Sequence, residues 1–330
     1  MRTVNYIDPK DFVSNVVKRK FNCEPIEVRE IRKDKLYEFV LPDLSKFHIK
    51  LARFLRENAS PEDWWNSGRF NNDLAYSLAA SAAIPESVCR IVDYDWSERY
   101  FITESVQAAC GELRECIDAA ELIQALKKFA LSVYIKNEDL LRSSLSSSRA
   151  KSWLSKEDFS AELVKSKDRW LIADNNQLRS EISSIFDVLD EKQLGITMHG
   201  DVCPDNVLVK NGRYILCDFE QSGNRLFHLD IASIGLSFVN CRFKPDTSGY
   251  PVCKIEDEAC KKFAPHLSMR DHNELLCCAY LYWIFVWAPG HYSLPEFSRS
   301  LFDVDHVMNR IRSSQRFVGV AAWLNDHLRA

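Results

Sequence analysis

Glycine is scarce in this sequence: the chain has ten glycines in 330 residues, and the first is Gly68. A glycine-rich loop holds phosphate groups against its backbone N–H groups, because glycine lets the backbone approach them closely. No such loop can form before residue 68. The polar turn predicted at residues 32–34 therefore cannot use glycine backbone to hold phosphates.

The sequence also has no excess of basic residues and no long apolar run. Its net charge is -4 at pH 7, so its composition does not point to nucleic acid or an anionic membrane as a partner. The longest apolar stretch, Leu275–Pro289, has 14 residues before its proline, whereas a bilayer needs about 20. The amino terminus lacks the apolar core of a signal peptide. We therefore expect a soluble cytoplasmic protein in which this stretch is a buried helix.

The eleven cysteines do not form a disulfide pattern, because their number is odd and no Cys-x-x-Cys pair occurs. Cysteine is also a small apolar residue that packs well in a core. We predict that these residues are reduced and mostly buried, as in a cytosolic protein.

The first hundred residues have a mixed pattern. Short runs rich in β-formers predict strands at residues 26–31, 36–41, 47–51, 90–94 and 99–104. Between the third and fourth of these runs, Pro61–Ala83 has helical spacing, with Pro61 in the first turn and Pro85 just beyond the end.

Helical periodicity dominates after about Val106. Helices are predicted at residues 119–135, 174–189, 271–288 and 304–328. Among them lies one strand pair, 206–209 and 214–217, joined by Asn211-Gly212. Asn-Gly between two apolar runs is a strong hairpin signal, because both residues tolerate the positive φ angles of the tight turn.

The residues around this hairpin match the needs of phosphoryl transfer. Asp201 lies five residues before Asn206, in the loop that leads to the first hairpin strand, and Asp218 follows the second strand. Mg²⁺ prefers hard oxygen ligands, which an Asn and an Asp at the two ends of a hairpin can supply. A further carboxylate can orient the acceptor hydroxyl and take its proton. Asp205, in contrast, is interpreted as a turn residue.

This segment resembles the aminoglycoside phosphotransferase and choline kinase group. The resemblance rests on His199-Gly200-Asp201, Asn206 and Asp218-Phe219-Glu220, and on the downstream segment His228–Ala232. It implies that Asp201 is the catalytic base, that His199 braces the loop, and that Asn206 and Asp218 hold Mg²⁺. Asp230 in the downstream segment would brace the catalytic loop.

The resemblance also implies an α+β, two-lobed protein kinase-like fold. Residues 1–104 would form a small nucleotide-binding lobe with an antiparallel sheet and one helix. Residues 105–330 would form a larger, mainly helical lobe that carries the catalytic loop and binds the acceptor.

Nucleotide contacts are expected from the first lobe. Lys50 on the third strand is the candidate for the α- and β-phosphates, with Lys46 as its competitor. The helix carboxylate that orients this lysine would be Asp73, with Glu62 and Asp63 as weaker alternatives. Backbone groups of Glu104 to Val106 would bond the base of ATP or GTP.

The acceptor is less well defined by the sequence. Acidic side chains after the metal motif could receive an amine-bearing substrate: Asp246, Glu256, Asp257, Glu258, Asp271 and Glu274. Four aromatic residues could line an apolar wall, although their helical spacing favours the core: Tyr280, Tyr282, Trp283 and Trp287.

Three functions remain open on the sequence alone. The first is a small-molecule kinase that phosphorylates a hydroxyl of an aminoglycoside-like, choline-like or other metabolite. The second is a nucleotide-binding regulatory protein with lapsed catalysis. The third is a protein kinase, which His-Gly-Asp, Asp-Phe-Glu and the missing glycine loop disfavour.

Overall fold

The computed structural model describes residues 8–33, 35–52, 61–106, 118–133, 176–191, 196–225, 227–237, 252–263, 265–288 and 304–328. The described residues belong to two compact units. One unit comprises residues 1–108, 132–150 and 215–221, and the other comprises residues 109–131, 151–214 and 222–330. The predicted lobe boundary at residues 104/105 stays a prediction.

A five-stranded antiparallel sheet dominates the first unit. Its strands are β1 (Glu27–Arg32), β2 (Leu36–Val40), β3 (Lys46–Leu51), β4 (Ile91–Asp95) and β5 (Tyr100–Glu104). Their order is β1-β2-β3-β5-β4, and Lys50 of β3 pairs with Leu36 on one side and Phe101 on the other. The five strands predicted from the sequence are all present, with ends shifted by a residue or two.

Two helices accompany this sheet, α1 (Pro9–Phe21) and α2 (Pro61–Ala83). Asp8 caps α1 by accepting a hydrogen bond from the N–H of Lys10, and the helix ends at Asn22 with a left-handed φ of 54°. Both ends follow common capping chemistry. The sequence prediction of one helix in this lobe missed α1, whereas it placed α2 correctly.

The core of the first unit lies where α1 packs on the sheet. Its buried side chains include Val13 and Val17 from the helix and Phe39, Ile49 and Ile102 from the strands. Each strand places alternate residues on opposite faces. Ile49 therefore faces this core, while its neighbour Lys50 points to the other face of the sheet.

The second unit is mainly helical. Its helices are α3 (Ala119–Ser132), α4 (Asn176–Glu191), α5 (His228–Ser237), α6 (Val252–Phe263), α7 (Met269–Tyr282), α8 (Val304–Arg312) and α9 (Val318–Leu328). A short antiparallel pair joins β6 (Ile196–Met198) to β9 (Gly223–Arg225). The small five-stranded lobe and the larger helical part confirm the predicted fold class.

Helix α7 forms the centre of the core of the second unit. Leu275 through Leu281 are at most 1% exposed, and the helix continues as a π-helical segment, Trp283–Trp287. The apolar stretch that begins at Leu275 is therefore a core element, as predicted. No helix among the described residues is long and apolar enough to cross a bilayer.

One predicted helix is two helices in the structure. The sequence predicted a continuous helix over residues 304–328, but α8 ends at Arg312 and α9 begins at Val318. Ser314 accepts a hydrogen bond from the N–H of Arg316 and starts a 3₁₀ turn between them. Serine competes with the helix backbone in this way, which accounts for the break.

Strands β7 (Val207–Lys210) and β8 (Arg213–Leu216) form a two-stranded sheet. Asn211 has a φ of 54° and Gly212 a φ of 74°. These positive angles at both central residues confirm the turn predicted from Asn-Gly.

Candidate active site

Lys50 is a buried cation of the first unit. It is 8% exposed, and its Nζ donates hydrogen bonds to Asp73 and, at 2.6 Å, to Asp218. Lys46 at the start of the same strand is exposed. Of the two candidate lysines, Lys50 is therefore the one that is buried and contacts acids, and its role at the phosphates stays a prediction.

Asp73 on α2 fixes both the lysine and the segment that contains Asp218. One carboxylate oxygen accepts from Lys50, and the other accepts from the backbone N–H of Phe219 at 2.7 Å. The side chain is 1% exposed. An aspartate at this position thus reaches the lysine, which was the uncertain part of the sequence prediction.

Asp218 has a left-handed backbone conformation, with a φ of 63°. This conformation is uncommon for residues other than glycine and is often found at functional sites. Asn72, which precedes Asp73 on α2, holds the segment that begins at Asp218. Its side chain donates hydrogen bonds to the carbonyl oxygens of Phe219 and Glu220 at 3.2 and 3.0 Å. Helix α2 therefore supports residues 218–220 through two consecutive side chains.

Electrostatics keep Asp218 ionised. Burial alone would raise its pKa, but Lys50, assisted by Lys35 and Arg32, lowers the pKa to about 2. For Lys50, burial alone would lower the pKa, but the negative charges of Asp73 and Asp218 have the larger effect. The pKa of Lys50 is therefore above its usual value. Asp218 is thus an anion at neutral pH and Lys50 is a cation, as an ion pair requires.

Three further basic side chains reach the same acids, and the sequence analysis did not single them out. Arg32 Nη1 lies 3.4 Å from an oxygen of Asp218, and Lys35 Nζ lies 2.7 Å from an oxygen of Glu220. Arg69 Nη1 lies 3.3 Å from the other oxygen of Glu220. For Arg32 and Lys35 the signal in the sequence was the basic character of the turn after β1, whereas Arg69 on α2 had no such signal.

The catalytic loop predicted at residues 199–206 lies in the second unit and is braced by Asp230. The carboxylate of Asp230 accepts hydrogen bonds from the N–H groups of His199 and Gly200 at 2.9 and 2.8 Å. Gly200 has a φ of 86°, which a residue with a Cβ adopts only at a cost. The predicted bracing contact is therefore present, and it explains the Gly in His-Gly-Asp.

Within this loop, Asn206 is bonded to Asp201. Its Nδ2 donates to the backbone carbonyl of Asp201 and to Asp201 Oδ2, both at 3.0 Å. His199 is fully buried, and its Nδ1 accepts from the N–H of Asp201 at 3.3 Å. The imidazole therefore contacts the backbone of the loop, and its supporting role stays a prediction.

The cysteines near these residues are not activated. Burial raises the pKa of the Cys203 thiol to about 12, and burial also raises the pKa of Cys217 well above its usual value. Only a thiolate is a good nucleophile. Both residues behave as small packing groups, in agreement with the sequence interpretation.

At the strand end that was predicted to bind the nucleotide base, two backbone N–H groups already donate hydrogen bonds within the sheet lobe. The N–H of Glu104 donates to the carbonyl of Arg90, and the N–H of Ser105 donates to the carbonyl of Lys46, both at 3.0 Å. Val106 follows directly and is buried. The carbonyl of Glu104 and the N–H of Val106 are the groups that the prediction then requires.

Several of the proposed acceptor-binding residues have structural roles. Glu256 is 1% exposed and bonds Tyr280, His306 and Arg310. Tyr282 and Trp283 belong to the core around α7, as their helical spacing suggested. Asp246 and the Trp287 side chain lie outside the described residues.

Two groups of predicted residues are therefore assembled, each within its own unit. Lys50, Asp73 and Asp218 meet in the first unit. His199, Asp201 and Asn206 meet in the second. A single magnesium site that combines Asn206 with Asp218 stays a prediction.

The fold is that of the protein kinase-like phosphotransferases. The structure is similar to the streptomycin–ATP–APH(2″)-IIa ternary complex, with a TM-score of 0.55 and 12% identity over 94% of this chain and 99% of that chain. It is similar to choline kinase LicA from Streptococcus pneumoniae, with a TM-score of 0.52 and 14% identity over 94% and 99%. It is also similar to an ethanolamine kinase from Plasmodium vivax, with a TM-score of 0.52 and 15% identity over 88% and 82%.

Residues 104–245 match the model of the phosphotransferase enzyme family, APH. This match confirms the resemblance predicted from the catalytic loop and the Asp-Phe-Glu segment. No curated protein matches the sequence significantly. Together, the family match and the kinase structures support a phosphotransferase that acts on a hydroxyl acceptor.

Proposed function

We propose that this protein transfers the γ-phosphoryl group of ATP or GTP to a hydroxyl of a small molecule. The observation that carries the proposal is the buried Lys50, which lies between Asp73 and an ionised Asp218. Kinases use such a lysine to hold the α- and β-phosphates while a carboxylate on a helix orients it. A buried ion pair costs stability unless its geometry is excellent, so a functional role would account for keeping this one.

Asn206 and Asp218 fit the ligand preference of Mg²⁺. Asp218 is an ionised carboxylate at neutral pH, and the Asn206 Nδ2 group donates to Asp201, so the amide oxygen is the atom that would bind metal. Both are hard oxygen ligands. These two side chains would hold Mg²⁺, which would offset the negative charge of the phosphate groups.

Asp201 is the proposed base. Its carboxylate is oriented by the hydrogen bond from Asn206, and its backbone is fixed by the loop that Asp230 braces. During transfer the acceptor oxygen would bond the γ-phosphorus, the bond to the bridging oxygen would break, and the hydroxyl proton would pass to Asp201. Nucleoside diphosphate then leaves.

The base of the nucleotide would bond the backbone of residues 104–106. Strand pairing already uses the N–H groups of Glu104 and Ser105. We therefore assign the carbonyl of Glu104 and the N–H of Val106 to the base. Backbone groups alone can serve either ATP or GTP.

Two alternatives lose support. The lapsed-catalysis alternative drew on the unusual helix partner of Lys50, but Asp73 makes that contact. The protein kinase alternative is opposed by the His-Gly-Asp and Asp-Phe-Glu segments. Among acceptors, we favour amine-bearing alcohols, since streptomycin, choline and ethanolamine occur in the names of the similar structures.

The test is nucleoside diphosphate release from ATP and GTP across a panel of aminoglycosides, amino sugars, choline and ethanolamine. We expect acceptor-dependent release that falls by several orders of magnitude in Asp201→Ala. Nucleotide binding should survive in that variant, because the proposed base acts on the acceptor hydroxyl and not on the nucleotide. Equal turnover in wild type and Asp201→Ala would refute the assignment of the base.

A further inference from the structure

The turn between β1 and β2 is basic where a phosphate-binding loop would have glycine. It contains Arg32, Lys33 and Lys35 and no glycine. Arg32 and Lys35 both turn towards the segment that begins at Asp218: Arg32 contacts Asp218 at 3.4 Å and Lys35 contacts Glu220 at 2.7 Å. The turn therefore places two cations at the acids where the nucleotide phosphates are proposed to bind.

Arg32 lies about as far from the Asp218 carboxylate as a phosphate bound through a shared metal would lie. Oxygens that share one Mg²⁺ lie about 3–4 Å apart, since each is about 2.1 Å from the ion. A phosphate oxygen on a metal held by Asp218 would thus be about as far from that carboxylate as Arg32 Nη1, which lies at 3.4 Å. Arg32 is half exposed, so its side chain can reorient from the carboxylate to a phosphate bound beside it.

Lys35 is linked to the same site through Glu220. That carboxylate lies 2.7 Å from Lys35 and 3.9 Å from Lys50, so the two lysines share one acid. Lys35 is about one-third exposed and Arg32 about half exposed, which leaves both side chains free to change partners. Lys50, in contrast, is buried.

The charge balance of the cluster also favours a polyanion. Among the described residues that contact one another here, four are cationic, Arg32, Lys35, Lys50 and Arg69, and three are carboxylates, Asp73, Asp218 and Glu220. Within this described set, one positive charge is in excess before any metal binds. A magnesium-bound triphosphate carries net negative charge, so its arrival would be electrostatically favourable.

We propose that Arg32 and Lys35 form a side-chain clamp for the nucleotide phosphates, which replaces the backbone grip of a glycine-rich loop. Without nucleotide the two side chains neutralise Asp218 and Glu220. When metal and nucleotide bind, Arg32 exchanges Asp218 for a phosphate oxygen, and Lys35 exchanges Glu220 in the same way. This clamp rests on the proposed kinase function, because it needs the triphosphate at Asp218.

The test compares nucleotide affinities of Arg32→Gln, Lys35→Gln and the double variant by calorimetry with Mg²⁺. Probes are ATP, ADP and adenosine, with GTP, GDP and guanosine in parallel. Lys33→Gln is the matched control, because Lys33 is an exposed cation of the same turn and forms no ion pair with a carboxylate among the described residues.

We expect ATP or GTP affinity to fall about fivefold in each single variant and about 20-fold in the double variant. Nucleoside affinity should be unchanged, and the salt dependence of triphosphate binding should become weaker. Lys33→Gln should bind within about twofold of wild type, since only bulk charge changes. A purely structural role would lower the melting temperature without separating triphosphate from nucleoside.

Failure of the clamp can be told apart from failure of the kinase proposal. If wild type binds the triphosphate with Mg²⁺ and the double variant binds it equally well, the clamp is wrong and the kinase site stands. If wild type binds neither triphosphate, both are wrong. An equal loss in the Lys33 control would also overturn the clamp, because it would show a general charge effect.

Discussion

We predict that the ion pair between Lys50 and Asp73 couples the stability effects of substitutions at these two positions. The first variant needed to measure this is Asp73→Asn. The substitution keeps the shape of the side chain but removes its charge, so an amide group replaces the carboxylate oxygen that Lys50 contacts. The other carboxylate oxygen, which accepts from the Phe219 N–H at 2.7 Å, can be retained. Breaking a buried ion pair costs about 3–5 kcal/mol.

The expected loss in Asp73→Asn is smaller than that range, because Lys50 keeps a second partner. Asp218 remains at 2.6 Å from the Lys50 Nζ. We therefore expect the free energy of unfolding to fall by about 2–3 kcal/mol. Lys50→Met should cost about 3–5 kcal/mol, because it leaves Asp73 and Asp218 buried together without their cation.

A double-mutant cycle in urea isolates the interaction. If the pair is formed, Lys50→Met combined with Asp73→Asn should cost about 2 kcal/mol less than the sum of the single changes. The control cycle uses Lys46→Met, since Lys46 is the exposed lysine of the same strand, and it should be additive within about 0.5 kcal/mol. Additivity in the Lys50 cycle would show that Lys50 and Asp73 do not interact and would remove the basis for the nucleotide site.

Three other predictions concern the second unit. Burial, with a smaller contribution from His272, holds the pKa of His228 well below its usual value. As the pH falls, the unfolded chain therefore gains a proton before the folded protein does, and the free energy of unfolding should decrease below about pH 6.5 by up to about 1.4 kcal/mol per pH unit. Denaturation at several pH values should show that the free energy of unfolding depends less steeply on pH in His228→Asn than in the same substitution at the exposed His266. A Cβ at Gly235 would lie 2.0 Å from the Tyr280 hydroxyl, so Gly235→Ala should cost about 2–4 kcal/mol in urea denaturation, and clearly less in a Tyr280→Phe background. Glu181 accepts the N–H groups of Gly319 and Val320 at the start of α9, so Glu181→Gln should lower the unfolding free energy by about 1 kcal/mol, with the loss reduced in high salt.

The fold was predictable where the sequence pattern is local. Alternation of β-formers located five strands, and Asn211-Gly212 located the hairpin, because each signal depends on neighbouring residues. The break between Arg312 and Val318 was missed, since the polar residues there still fit helical spacing. Helix α1 was missed although Asp8-Pro9 is a clear helix start.

The candidate site was predictable to a similar extent. Its acids could be read from motif spacing, and Lys50 from its strand position. The choice between Lys50 and Lys46 needed the structure, because both lie at the same strand parity and only burial separates them. The basic side chains Arg32 and Lys35 could not be assigned from sequence, since their partners lie more than 180 residues away.

The most direct test of the central claim is a crystal structure with Mg²⁺ and a non-hydrolysable ATP or GTP analogue. We predict one ion bound by Asn206 Oδ1 and a carboxylate oxygen of Asp218 at about 2.0–2.2 Å. We also predict Lys50 on the α- and β-phosphates and Asp201 next to the γ-phosphate. An ion held by only one of these two side chains, or a triphosphate bound elsewhere, would contradict it.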